Sequence, residues 1–240
     1  METKTDARPL DAFNLDSSGR GTAAPRKNNR TSPALIPIRS LSQHHRSQII
    51  EHLLELDERD RYLRFGFIAR DEHVIRYAEG LNFKQDEIFG ITNRKLSLIA
   101  MAHLAYSPSD LRSSCAEFGV SVAKSARGRG FGARLFERAA MDARNNGVLS
   151  MLIHALSENS AMLGIARRAG AVIERHGSEA QAYLRLPPAS FNSRMTEIVE
   201  DHYAQLDYRL KAHAWQLHNM LDAIKVLNCS WPMGGRGRQD

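Results

Sequence analysis

Hydrophobic residues recur along this chain in two periods, and the change from one to the other outlines its elements. Leu35-Ile36-Pro37-Ile38 is expected to form a short first strand. Ser40 or Ser42 then caps a helix whose apolar residues fall at Ile49, Ile50, Leu53, Leu54 and Leu56. A second helix is expected from Asp71 to Leu81. Strand-like runs follow at Glu87 to Thr92 and Leu96 to Tyr106, joined at Asn93-Arg94, a pair suited to a tight hairpin turn, and Cys115 to Val122 completes a meander. Leu135, Phe136, Ala139, Ala140 and Ala143 share one face of the next helix, which Asn145-Asn146-Gly147 closes. Strand returns at Val148 to His154, helix from Asn159 to Arg168, and strand at Val172 to Arg175 and Ala180 to Leu186. An antiparallel meander followed by strand, helix, strand, helix and strands is mixed α/β, without the steady βαβ alternation of a doubly wound sheet.

Three regions follow from this pattern. Residues 1–34 are rich in Gly, Pro, Ser, Thr and Asn and lack apolar periodicity, so they are expected to be a disordered tail. Residues 35–190 form the α/β domain, which Pro187-Pro188 ends. Residues 191–240 change period: Val199, Tyr203, Leu206, Leu210, His213, Leu217, Met220, Ile224 and Leu227 alternate steps of four and three, the spacing of a coiled-coil seam. This long helix either pairs with a second copy, giving a homodimer, or lies across its own domain.

The length of 240 residues and an apolar fraction of 42% are enough for a buried core. No run approaches the ~20 apolar residues of a membrane span, and the amino terminus carries no secretory pattern, so a cytoplasmic protein without a membrane partner is expected. Cys115 and Cys229 lie in unrelated contexts and form no disulfide framework; Cys115 begins a strand without an evident activating cation and is expected to pack. The histidines show no ligand spacing, so no metal is expected. The formal charge of +6 comes from dispersed Lys and Arg interleaved with acids, which argues against a nucleic-acid surface.

Chemistry concentrates in Arg127-Gly128-Arg129-Gly130-Phe131-Gly132, where a strand gives way to a helix. Unpaired N–H groups and the helix dipole converge there, glycines let an anion approach, and Arg127 and Arg129 add charge. Gly128, Gly130 and Ala133 also satisfy a loose dinucleotide pattern, but Ala123 to Ala126 separate them from the strand and the next strand ends in His154 instead of an acid. A glycine turn with no ligand is the remaining alternative.

The run Ala116-Glu117-Phe118-Gly119-Val120-Ser121-Val122, followed by Arg127-x-x-Gly130-x-Gly132, resembles the acyl-CoA-binding signature of the GNAT acetyltransferase superfamily. Glu158-Asn159, Met162-Leu163 and Gly170 resemble its second signature. Arg64-Phe65-Gly66 and Ala102-His103-Leu104 resemble the branch that includes bacterial protein lysine acetyltransferases. The resemblance spans roughly Leu35 to Leu186. It implies a mostly antiparallel sheet splayed at the acyl-CoA site and flanked by helices, here with the long C-terminal helix added. It also implies acetyl-CoA as co-substrate and a primary amine as acceptor, either a protein lysine or a small amine.

By position, Val120 and Val122 would offer main-chain groups to the pantetheine arm. The turn from Arg127 through Gly128, Arg129, Gly130 and Phe131 to Gly132 would cradle the pyrophosphate, with Asn159 beside the pantetheine. Glu117 resembles the family's general base, a partly buried carboxylate able to deprotonate the amine; its alternative is an ordinary acid on a solvated strand face. His103 and His154 are further candidates, and Arg61, Arg64 and Phe65 are candidates for acceptor choice. Many relatives carry a tyrosine seven residues after the helix asparagine to protonate the leaving thiolate. Here that position is Ala166. The departure keeps open a catalytically weak acyl-CoA-binding module that regulates or assembles.

Overall fold

The computed structural model describes residues 36–106 and 115–229, with the side chains of 191–193, 213 and 215–229 outside that description. The expected tail of residues 1–34 therefore lies outside the described residues, as do the side chains of the heptad seam from His213 onward. In chain order the elements are β1 (Arg39–Ser40), a short 3-10 turn (Gln43–His45), α1 (Arg46–Leu54), α2 (Glu58–Phe65), α3 (Asp71–Glu79), β2 (Glu87–Thr92), β3 (Leu98–Tyr106) and β4 (Cys115–Val122). After a second 3-10 turn (Lys124–Ala126) come α4 (Phe131–Asn145), β5 (Ser150–Leu156), α5 (Ser160–Arg168), β6 (Val172–His176), β7 (Glu179–Arg185) and α6 (Phe191–Cys229). One sheet takes the order β1-β2-β3-β4-β5-β7-β6, antiparallel throughout except between β4 and β5.

Each face of the sheet buries its own apolar cluster. Phe89, Leu104, Phe118 and Ile153 pack against Leu135, Phe136 and Ala139 of α4 and Met162 of α5, with the Phe118 and Phe136 rings edge to face at 5.0 Å. On the other face Ile88, Leu98 and Met101 meet Ile49 and Leu53 of α1 and Val74 and Ala78 of α3. Alternation along β4 thus sends Ala116 and Phe118 toward α4. Glu117, Gly119 and Ser121 face the side of α1 to α3.

Three expectations change. Of the expected first strand Leu35 lies outside the described residues, and pairing begins at Arg39, not in Ile36-Pro37-Ile38, because Pro37 has no N–H to give to a ladder, although Ile38 is buried. The β2–β3 turn is longer than Asn93-Arg94: Asn93 Oδ1 accepts from the N–H groups of Lys95 at 2.8 Å and Ser97 at 3.0 Å, and Leu96 takes a φ of 65°. The helix α2 was not foreseen, since Glu58–Phe65 carries charges around most of its circumference. Its signals are at its ends, where Asp57 accepts from the Asp60 N–H at 2.9 Å and Gly66, at φ 80°, closes the last turn.

The long helix docks through polar residues. Arg138 of α4, only 2% exposed, pairs with Asp201 at 2.8 Å and with Glu197 and Glu200 at 3.7 Å, the Arg39 guanidinium lies 3.8 Å from the Tyr208 ring centroid, and Ala204 is buried. Val199, Tyr203, Leu206 and Leu210 of the seam remain exposed. Hence, among the described side chains, the seam from Val199 to Leu210 is not the surface with which α6 meets its own domain.

Candidate active site

The parallel register of β4 and β5 ends at Glu117↔Leu152, after which β4 runs on to Val122 and β5 to Leu156 without pairing each other. The Ala123 N–H donates to the Ile99 carbonyl of β3 at 2.9 Å. By strand alternation, residues 117, 119 and 121 spend their main-chain groups on β3, and the N–H and C=O groups of Val120 and Val122 face the splay. A strand edge of this kind, open inside the fold, can take up an extended ligand as an added strand.

The splay leads into a cavity of about 760 Å³, bounded by β4, β5, the start of β7, α2, the glycine turn and α5. On its wall at the glycine turn Gly128 and Gly130 adopt φ values of 73° and 78°, and a Cβ at either would meet nothing within 4 Å. Their conformation, not crowding, requires glycine there. Gly130 is the N-cap of α4, so the N–H groups of that helix's first turn have no intrahelical partners and point outward. At Gly132 a Cβ would come within 3.2 Å of Ile165 of α5, so the missing side chain lets the two helices close. Arg127 reaches Asp60 of α2 and donates from Nε to the Val122 carbonyl at 3.3 Å. Arg129 lies over the Phe131 ring, 4.6 Å from its centroid, and is not on the cavity wall.

Asn159 caps α5 by accepting from the Met162 N–H at 3.1 Å, and its Nδ2 donates to the Leu63 carbonyl of α2 at 3.3 Å. Both ends of its amide are thus engaged in holding α5 to α2. Ala166 is fully buried in the core and does not reach the cavity.

Glu117 of β4 and His154 of β5 also line the cavity, and both are exposed. The partial burial expected of Glu117 is absent. His103 is off the cavity wall with both ring nitrogens in use: Nε2 bonds Asp86 at 3.0 Å and Nδ1 bonds the Tyr77 hydroxyl at 2.9 Å. Burial lowers its pKa, against the opposing pull of Asp86. The Tyr77 hydroxyl accepts from Arg64 Nη2 at 2.7 Å, and Arg64 and Phe65 line the cavity. Arg61 faces elsewhere, donating to the Leu56 and Leu54 carbonyls at 3.0 and 2.6 Å and pairing with Asp71 at 2.6 Å. Cys115 is a half-buried free thiol at the start of β4.

The sheet thus splays in mid-strand, and its open edge runs to a glycine turn at a helix N-terminus. The chain belongs to the GNAT acetyltransferase family, whose model matches residues 38–171. It is similar in structure to the GNAT domain of S. lividans PAT, at 19% identity and a TM-score of 0.54 over 62% of this chain and 89% of that one. It is also similar to the ribosomal-protein-alanine N-acetyltransferase of Brucella melitensis, at 17% identity and TM-score 0.50 over 62% and 99%. The spermidine N-acetyltransferase of Vibrio cholerae, solved with CoA and spermine, gives 17% and 0.50 over 62% and 94%. Identities this low speak for the fold alone. No curated protein matches the sequence. Among the described residues no helix is long and apolar enough to cross a membrane, and no cluster of His, Cys, Asp and Glu could hold a metal ion.

Proposed function

We propose that this protein transfers an acetyl group from acetyl-CoA to a primary amine. The observation that carries the reading is the splay: main-chain groups of Val120 and Val122 face an opening that continues into the turn from Arg127 to Gly132. The residues fit the co-substrate. Val120 and Val122 would pair with the amide-bearing pantetheine arm, and the N–H groups from Gly128 to Gly132 would take the pyrophosphate. Arg127, freed from Asp60, would neutralise its charge. Arg129 would add to the field of the turn from outside the wall, and Asn159 would act by keeping α5 closed on α2. Acetyl-CoA would supply the activated thioester.

The chain must make the amine nucleophilic and accommodate charge on the carbonyl. An alkylammonium with a pKa of about 10.4 needs a base, and Glu117 on the cavity wall would take its proton directly or through one water. The Val120 N–H would polarise the thioester carbonyl as the C–N bond forms. When the C–S bond breaks, the thiolate leaves without a side-chain acid at the Ala166 position; a thiol pKa of about 8.5 makes it a fair leaving group. His103 serves indirectly through Tyr77 and Arg64. We propose in addition that the exposed stripe Val199, Tyr203, Leu206 and Leu210 pairs two copies of α6.

The burial of Ala166 favours a second reading, a module that binds acyl-CoA with little turnover. Glu117→Gln separates the two. In the first, the variant loses roughly 10²–10⁴-fold in kcat toward an accepted amine, with acetyl-CoA affinity unchanged. Equal rates in both proteins would remove Glu117 from the chemistry and favour the module.

A further inference from the structure

Arg64 is a cation held in place over the Phe65 and Tyr77 rings, 5.3 and 5.2 Å from their centroids, without a carboxylate partner among the described residues. Its Nη2 donates to the Tyr77 hydroxyl at 2.7 Å, Tyr77 bonds His103 Nδ1 at 2.9 Å, and His103 Nε2 bonds Asp86 at 3.0 Å. The second Asp86 oxygen accepts from the Tyr106 N–H at 3.3 Å. Every link is satisfied with donors running one way: guanidinium to phenol oxygen, phenol O–H to Nδ1, Nε2–H to carboxylate. The imidazole is then neutral, as its burial favours, and the chain orients Arg64 without neutralising it. Among the described residues Arg64 has no carboxylate partner, unlike its neighbours Arg59, Arg61 and Arg127, which pair with Glu158, Asp71 and Asp60.

The position of the guanidinium is as constrained as its orientation. A Cβ on Gly119 would lie 2.7 Å from Nη2, 2.8 Å from Cζ and 2.9 Å from Nη1, so the fork lies flat on β4 in the space glycine leaves. Arg64 also lines the cavity. Glu117 projects from the same face of β4 two residues away, about 7 Å at the usual strand rise. A base and a planar cation without a carboxylate partner among the described residues therefore line the cavity together at Glu117 and Gly119 of β4, at the other end of its open edge from the turn proposed for the pyrophosphate. A guanidinium fork matches a carboxylate in two parallel hydrogen bonds.

We infer that Arg64 is a specificity-determining residue that binds a carboxylate carried by the acceptor, so that the acceptor is of the amino-acid class, with its amine toward Glu117 and its carboxylate on Arg64. The inference rests on the acetyl-transfer reading for the amine's place at Glu117, while the carboxylate site stands on the Arg64 geometry itself. Tyr77, His103 and Asp86 are positioning residues. A bare polyamine would leave Arg64 unpaired.

Thermal shift of the full chain, with and without saturating CoA, tests this against each standard amino acid and its C-terminal amide. The expected result is that at least one acid stabilises the protein where its amide does not, with an affinity difference of about tenfold or more. Arg64→Gln should erase that difference, and Arg64→Lys, which keeps charge but loses the fork, should reduce it. The shift produced by CoA alone should persist in both variants, which reports that they are folded. If no acid outperforms its amide in the wild type, or if the difference survives in Arg64→Gln, the inference is overturned. An Arg64-dependent preference for succinyl-CoA over acetyl-CoA, with acids and amides equal, would also overturn it by moving the carboxylate to the acyl chain. Failure of CoA to shift any of the proteins would count against the acetyl-transfer reading, and the acid-against-amide comparison would still report on Arg64.

Discussion

His52 makes the fold sensitive to acid. It is 1% exposed, its Nδ1 lies 3.1 Å from the Leu98 carbonyl and its Nε2 2.9 Å from the Ser121 hydroxyl. A carbonyl only accepts, so Nδ1 carries the proton and Nε2 accepts from Ser121. The imidazole is neutral, with both nitrogens used. Burial pushes its pKa from 6.5 down to about 4, with the two hydrogen bonds pulling weakly the other way. Between those values the unfolded chain binds a proton that the folded protein refuses. The stabilising contribution is therefore present above pH 6.5 and is lost as pH falls through 4. At 1.36 kcal/mol per pKa unit it amounts to about 3 kcal/mol. His52→Leu removes the titration and leaves the Leu98 carbonyl and the Ser121 hydroxyl unpaired, a cost of about 1–3 kcal/mol near neutrality. Urea unfolding of both proteins, followed by circular dichroism from pH 7.5 to 4, isolates the effect because all other groups titrate alike in the pair. The variant should be the less stable at pH 7.5, and the gap should close and tend to invert toward pH 4. A gap independent of pH would refute the assignment of a neutral, buried His52.

Asp142 should act in the opposite direction. Burial raises its pKa to about 7 despite the Tyr106 O–H bond at 2.6 Å, so the folded state holds a proton there that the unfolded chain releases, and stability falls as pH rises from about 4 to 7. Asp142→Asn should flatten that decline in urea titrations; an unchanged slope would rule it out. Gly130→Ala, at a φ of 78°, should cost about 1–2 kcal/mol by thermal unfolding, and a neutral result would mean that the turn relaxes. Truncation after Pro188 removes α6 and should take the particle from two copies to one when light-scattering mass is divided by chain mass, whereas a full-length protein that already runs as one copy would leave the exposed stripe without the proposed partner.

What could be read from the sequence was whatever the chain keeps local. The meander, the splayed strand from Cys115 to Val122 and the turn from Arg127 to Gly132 each lie in one short run, whose alternation or glycine spacing survives translation into three dimensions. The helix α2 escaped notice because its identity is written in Asp57 and Gly66 at its ends and not in an apolar stripe. The chain Arg64, Tyr77, His103 and Asp86 comes from four elements or loops that only the packing of α2 and α3 on the sheet brings together. His103 could be singled out by its strand, but its partners could not. The heptad period of α6 was visible. That its charged edge, Glu197, Glu200 and Asp201, would turn inward depended on Arg138, a buried guanidinium 59 positions before Glu197 and legible only in the structure.

Calorimetric titration with acetyl-CoA tests the central claim most directly, on the wild type and on Gly130→Glu, which puts a bulky negative charge at the N-cap of α4. Micromolar binding to the wild type and none to a folded variant is the predicted result. No binding by the folded wild type, or equal binding by both, would contradict the assignment of the splay and its glycine turn to acyl-CoA.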